Sequence, residues 1–403
     1  MGQPQWIYIN EISDYKQVQS SFTYRCLPRD NCCTMIEQLL DIPEVYVLAV
    51  GSRSCLHFMY SAAEGKPGCR RLFYIPQSLE ECVDSGHLES VEEAVRQAVR
   101  QGAKGVIVYL CCADVLIGTD FIRLCTLLEA ETGVLVRPLY RGIVATRRQS
   151  ALGAVMDIIQ DLFIAAPESR ISKERSIALL SKRRLDVDSE LFGLLQDSGY
   201  EAVTNHCESM EEFLMLAGCP TAVALDSYGD MLAEMLQKHF GTQILRIHAH
   251  FDPLLTEKEL EQLSAALGLA IKWETQRERL QAALSAALAQ PANRSIAVGC
   301  ESDNFELAAC LLALGLHVDI VFCDAIASGD VRWINDIAAH NPHLMVCFDS
   351  RLNERTAMPE LQKISTAVGT KAGFFCGNAR RLPQAEEVGF GYEKLIKLLE
   401  GMA

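Results

Sequence analysis

Two hydrophobic patterns alternate along the chain. Short runs rich in β-branched residues recur at VYVLAVG (45–51), GVIVYL (105–110), SIALL (176–180), TAVAL (221–225), SIAVG (295–299), VDIVFCD (318–324) and LMVCFD (344–349). Near-continuous apolar runs of this length suit strands buried on both faces, the situation in parallel sheets. Between them lie amphipathic stretches of helical length, such as LESVEEAVRQAVRQG and TEKELEQLSAALG. Strands alternating with such helices predict an α/β fold of doubly wound, mainly parallel sheets.

An internal echo points to more than one such unit. RSIALL at 175–180 and RSIAVG at 294–299 each lead into a polar loop and a helix, and both helices close at a glycine before the next strand. Glycine there supplies the left-handed conformation that ends many helices. Polar, proline-containing stretches AAPESRISKE and ALAQPANR interrupt the pattern near 165 and 287. The expected organisation is therefore three Rossmann-like domains over 1–165, 166–287 and 288–403. Neither repeat carries G-x-G-x-x-G, and G-x-x-x-x-G-K-[ST] is absent, so the usual backbone cradle for a dinucleotide or ATP is missing.

Composition narrows the classes further. A formal net charge of -15 argues against a nucleic-acid binder, because affinity for a phosphate backbone rests on Lys and Arg. The opening MGQPQWIYINEISDYK has no basic stretch followed by an apolar core, and no run reaches the roughly 18 apolar residues of a membrane span. A cytoplasmic protein is expected. Its 16 cysteines are then reduced thiols, most of them small core hydrophobes such as Cys310 in LAACLLALG.

Some cysteines, however, stand at the carboxyl ends of expected strands, where α/β proteins place ligands. Cys55 follows VYVLAVG in GSRSCLHFMY, and Cys111 and Cys112 follow GVIVYL in YLCCADVLIGTD. Cys26, Cys32 and Cys33 form a third group in YRCLPRDNCCTM. Thiolates suit iron–sulfur clusters or zinc, and the chain contains no C-x-x-C of the kind that zinc sites use. Three strand-end loops converging on one metal would supply three ligands, leaving the fourth to a group from a partner.

The runs DIPEVYVLAVGSRSCLHFMYSAAEG, RRLFYIPQSLEECVDSGHLESVEEAVRQAV and GVIVYLCCADVLIGTD resemble the cysteine region of nitrogenase component 1 proteins. The nearest flavour is the N subunit of dark-operative protochlorophyllide reductase, whose IP-x-x-(apolar)-LGTKTCAHF segment is similar to IPEVYVLAVGSRSCLHF. LIG-x-D after Cys112 resembles the cysteine loop of the molybdenum–iron protein. Residue-level likeness covers positions 22 to 145 and the outline covers the whole chain. The resemblance implies three Rossmann-like domains and a cysteine-bound cluster, most simply 4Fe-4S, between paired component 1-type subunits. It also implies reduction by an ATP-dependent iron protein. On this likeness the ligands are Cys26, Cys55 and Cys112, with Cys32 and Cys33 as alternatives to Cys26, whose C-x-P setting is the better match. The usual G-P-x-G-C loop is GSRSC here, with Arg53 where backbone normally approaches the cluster. No C-terminal cysteine and histidine stand in the setting that holds an iron–molybdenum cofactor, so nitrogen itself is not the expected substrate.

Other polar groups have plainer readings. His57 in LHFMY is a candidate proton donor, more simply a hydrogen-bonded helix residue. His248 and His250 in RIHAHFDP alternate as strand residues do and form a candidate ligand pair that lacks a third member. Arg137, Arg141, Arg147 and Arg148 form the main basic cluster, suited to a tetrapyrrole carboxylate or a partner's acidic face, or simply solvated. Cys69, Cys82, Cys111 and Cys125 match no ligand position and are assigned to packing. The preferred function is an iron–sulfur oxidoreductase subunit. Its rivals are a non-catalytic scaffold for metallocofactor or tetrapyrrole maturation and a cluster-free binding protein that keeps the fold.

Overall fold

The computed structural model describes residues 6–12, 31–63, 68–84, 86–140, 151–166, 174–182, 184–185, 189–271, 273–291, 295–300, 302–323, 326–348, 359–382 and 390–403. It is a mixed α/β protein with mainly parallel sheets, as the alternating pattern predicts. All seven expected strands are present, several of them one to three residues shorter than the apolar runs that announce them.

After a short strand β1 (Trp6–Tyr8), the first sheet comprises β2 (Val45–Gly51), β3 (Leu72–Pro76), β4 (Gly105–Leu110) and β5 (Leu135–Tyr140). Its order is β3-β2-β4-β5, parallel throughout. Every residue of the central pair, β2 and β4, is buried. Alternate side chains of β2 serve two cores: Val45, Val47 and Ala49 meet Leu39, Met59 and Ile159, while Tyr46, Leu48 and Val50 meet Val91, Val95 and Phe121. Full burial of each such Val or Leu contributes about 1.5–3 kcal/mol, so register is strongly fixed. Val50 stands opposite Leu110, and the two central strands end level with one another.

The helices around this sheet are α1 (Asn31–Asp41), α2 (Arg53–Ala63), α3 (Leu79–Asp84), α4 (His87–Arg100), α5 (Cys112–Ile117) and α6 (Phe121–Thr132). In α4 the apolar stripe Val91, Val95 and Ala98 is buried, the arrangement its heptad-like spacing demands.

The second sheet, β6 (Ser176–Leu180), β7 (Glu201–Thr204), β8 (Thr221–Ala224) and β9 (Gln243–Arg246), repeats the pattern with order β7-β6-β8-β9. Asp226 caps helix Ser227–Phe240 by accepting from the Gly229 N–H at 2.8 Å, and its other oxygen accepts from the Lys182 N–H at 2.7 Å. A Cβ on Gly229 would fall 2.2 Å from the Leu180 carbonyl oxygen. Only glycine lets the helix start so close to the end of β6.

The third sheet contains β10 (Ile296–Val298), β11 (Val318–Phe322), β12 (Met345–Cys347), β13 (Thr366–Val368) and β14 (Arg380–Leu382), in the order β1-β12-β11-β10-β13-β14. Strand β1 is its one antiparallel member, pairing Trp6 with Cys347 and Tyr8 with Met345.

The chain forms two compact units, one from the described parts of 27–182 and 199–246 and the other from those of 1–26, 183–198 and 247–403. Helix Glu190–Asp197 therefore groups with the third sheet although it lies between β6 and β7 in sequence. Its first residue explains why. The Glu190 N–H donates to Glu393 Oε2 at 3.2 Å, while the Glu190 carboxylate accepts from the backbone of Tyr392 and Glu393 at the start of helix Tyr392–Met402. Among the described residues no helix is long and apolar enough to cross a membrane.

Candidate functional site

The level carboxyl ends of β2 and β4 bring two of the sequence-identified cysteines to neighbouring elements. Only Ser52 separates β2 from α2, so Cys55 lies in the first turn of that helix, half-buried against the core, rather than in the longer loop its sequence suggests. Cys112 is the first residue of α5, with Cys111 as its extended N-cap. The Cys111 N–H donates to the Val50 carbonyl at 3.1 Å, locking the entry to α5 against the exit of β2. Cys111 itself is 2% exposed, and a Cβ on Gly51 would lie 2.5 Å from its sulfur. Glycine at 51 is thus required by the close packing of the two strand ends.

Of the third group, Cys32 and Cys33 belong to the first turn of α1 rather than to a loop, and Cys26 lies outside the described residues. The thiol of Cys112 is likewise outside them. Among the described residues no three His, Cys, Asp or Glu side chains are grouped so as to hold a metal. The far end of α1 is anchored by Arg71, whose guanidinium donates to the carbonyls of Ile42 (2.6 Å), Val45 (2.8 Å) and Leu40. It supplies the donors that the last turn of a helix lacks. Burial lowers the pKa of Arg71, partly offset by Tyr46, Asp41 and Glu44, and burial raises that of Asp41 to about 6 against the pull of Arg71.

Behind α5 lies a polar group that sequence reasoning missed. Gln77, just past β3, donates through Nε2 to Asp114 Oδ2 at 2.9 Å. The other Asp114 oxygen is 3.0 Å from His87 Nε2, off the hydrogen-bonding direction. His87 Nδ1 donates to the Glu81 carbonyl at 3.0 Å, and its ring lies 5.9 Å from Phe121. The His87 and Asp114 side chains are 1% and 0% exposed. These residues come from separate segments, and no local spacing announces them. At the end of β5, Tyr140 has its pKa raised by burial and by Cys125, Asp120 and Asp114. Burial likewise pushes the Cys125 thiol up to about 12, keeping it a neutral packing group.

The remaining candidates have structural duties or stand elsewhere. His57 lies on the exposed side of α2. Strand β9 stops at Arg246, short of His248 and His250, so the expected alternation does not form. His250 Nδ1 is instead 3.1 Å from Glu306, which also accepts from the Phe251 N–H at 2.7 Å. Burial raises the Glu306 carboxyl, but His250, Phe251 and Lys394 outweigh it and hold the group below its usual range. Arg137 is committed to Glu129 and to Asp161 (2.6 Å). Arg141, Arg147 and Arg148 lie outside the described residues.

Comparison with known proteins adds the family. Among proteins of curated function none matches the sequence. A solved structure described as "Nitrogenase Cp1 at pH 6.5" superposes with a TM-score of 0.67 at 14% identity, covering 98% of this chain and 94% of that one. Another, "Nitrogenase Cp1 at pH 5", gives 0.61 at 13% identity, covering 99% and 93%. At such identities the likeness is one of fold. The model of the nitrogenase component 1 type oxidoreductases matches residues 33–396, nearly the whole length, and the chain belongs to that family.

Proposed function

We propose that the chain is the iron–sulfur subunit of a nitrogenase-like oxidoreductase complex, working in the cytoplasm. In this reading Cys26, Cys55 and Cys112 hold a cluster, most simply 4Fe-4S. A second component 1-type subunit completes the site, an ATP-dependent iron protein delivers electrons, and a bound small molecule, a tetrapyrrole for example, is reduced. The observation that carries it is the placement of Cys55 and Cys112 at the starts of two helices on the level ends of adjacent parallel strands. Donor chemistry fits the group: soft thiols are what iron–sulfur clusters require, and the carboxyl edge of a parallel sheet is where such folds bind ligands. When bound, the cluster would supply one-electron transfer. The protein's own residues would hold it, exclude water through the buried core beneath β2 and β4, and tune it by nearby backbone dipoles. The three mainly parallel sheets support division into Rossmann-like domains over 1–165, 166–287 and 288–403, although β1 crosses it by joining the third sheet.

The test is anaerobic purification followed by iron, sulfide and absorbance measurements on the wild type and on C55S, C112S, C26S, C32S and C33S. Loss of iron in C55S and C112S, and in one of the remaining three, is the expected result. A wild type free of iron and sulfide after reconstitution would overturn the reading in favour of a cluster-free binding protein. Cluster-loaded protein that shows no turnover with any iron protein and candidate substrate would instead indicate a maturation scaffold.

A further inference from the structure

Helix α5 is built with inverted polarity. Among its described side chains only Asp114 is buried, at 1% exposure, whereas Leu116 and Ile117 are 73% and 50% exposed. A six-residue helix has no stability of its own in water. With its largest apolar groups turned outward, it is not held in place by burying them. Sinking a carboxylate costs several kcal/mol unless it is paired and hydrogen-bonded, so its neighbours must be what retains it. Those neighbours are Gln77 at 2.9 Å and His87 at 3.0 Å.

Gln77 does more than donate to Asp114. Its backbone N–H donates to the Gly51 carbonyl at 3.0 Å, the last residue of β2, four positions before Cys55. One residue on β3's exit therefore grips both segments that carry the candidate ligands: Gly51 through its main chain and the second residue after Cys112 through its side chain. His87 closes the network from the other side, itself anchored to the Glu81 carbonyl.

We propose that Gln77 is a positioning residue that sets the separation of the Cys55 and Cys112 thiols, acting through Asp114. The proposal deepens the cluster reading and rests on it for its purpose, but the hydrogen bonds it builds on are the chain's own. Outer partners of metal ligands fix the geometry in which those ligands are presented, and their loss lowers metal affinity by about 10–100-fold.

The experiment uses the full chain in four forms: wild type, Q77L, Q77E and the double variant Q77E/D114N, in which carboxylate and carboxamide exchange places. Two readouts are taken. In metal-free protein, dibromobimane treatment and peptide mapping quantify the Cys55–Cys112 cross-link. In reconstituted protein, iron affinity and the reduction potential of the cluster are measured, with thermal unfolding as a control.

The expected result is a several-fold loss of the cross-link and an iron affinity lowered by about ten-fold in Q77L and Q77E. Both should recover in the double variant, while Q77L should still unfold cooperatively, its midpoint lowered by the unpaired buried carboxylate of Asp114. A Q77L protein with wild-type cross-linking overturns the proposal, as does a wild type in which the two thiols never cross-link. Wild type that cross-links yet binds no iron, with Q77L losing the cross-link, upholds the positioning role and removes the cluster reading alone. Should Q77L fail to fold, recovery of the cross-link in Q77E/D114N relative to Q77E decides the matter.

Discussion

Replacing Gly51 by alanine tests the closest packing in the site. The new Cβ would stand 2.5 Å from the sulfur of Cys111 and 2.7 Å from its Cβ. Comfortable carbon contacts begin near ~3.5 Å, so roughly an ångström of relief must be found between two strand ends that are buried on every side. The hydrogen bond from the Cys111 N–H to the Val50 carbonyl, now 3.1 Å, runs across the same gap and stretches with it. Overpacking of this kind costs about 1–3 kcal/mol, and the stiffer unfolded chain of an alanine variant returns about 0.4–1 kcal/mol. A net loss of about 1–2 kcal/mol is expected on these grounds. Urea unfolding measures it, and amide exchange of the 105–111 peptide localises it, because only the β2–β4 seam is strained. The double variant G51A/C111A removes the sulfur but keeps the second contact, so it should recover only part of the loss. A G51A protein with wild-type midpoint and wild-type protection of that peptide would show that the seam yields freely.

Three further outcomes are expected. Gly193 lies in helix Glu190–Asp197 with nothing within 4 Å of where its Cβ would be, so G193A should raise stability by about 0.5–1 kcal/mol in urea unfolding. R71M strips the donors from three carbonyls between the last turn of α1 and the start of β2 and should cost about 2–3 kcal/mol, with faster amide exchange in the 42–50 segment, while R71K recovers little because one ammonium cannot span three acceptors. Burial, reinforced by Glu393 and opposed by backbone hydrogen bonds and Arg279, raises the Glu190 pKa from 4.5 to about 7. A raised carboxyl favours the folded state most below its unfolded pKa, and that contribution is lost as pH climbs through the folded value. The wild type should therefore lose up to about 3 kcal/mol between pH 4.5 and 7.5 that E190Q, which still accepts from the same amides, does not lose. Parallel pH profiles for the two proteins would contradict the assignment.

The central strands were legible because β2 and β4 are uninterrupted apolar runs, and burial on both faces leaves no alternative period. Their neighbours β3 and β5 carry Pro76 and Pro138 and are not among the apolar runs that announce strands. Both are edge strands, the position where a missing N–H is tolerated, so tertiary placement overrode the local signal. Strand β1 was invisible for another reason, since a three-residue strand is defined by a partner near the opposite end of the chain. At the site, Cys55 and Cys112 could be singled out because each comes within a few residues of a strand's end, but the reach of α2 was not foreseen and the loop before Cys55 proved shorter. Gln77, His87 and Asp114 gave no local sign. Asp114 sits in the apolar run ADVLIG, where a pattern reading turns the carboxylate outward and Leu116 inward, the reverse of what is found. Polar contacts among distant segments are set by topology, which is the information a single sequence conceals best.

The seam between Trp6–Tyr8 and Met345–Cys347 also bears on how the polypeptide is made. As the ribosome extends the chain, β1 waits for this pairing until β12 has been synthesised. Without β1 in place, β12 would present a bare, apolar rim to any passing extended segment, the kind of surface that seeds aggregation. Fusions or truncations that hinder residues 6–8 should therefore lower the yield of native protein more than their small contact area suggests, and slowing translation around β12 should not rescue it.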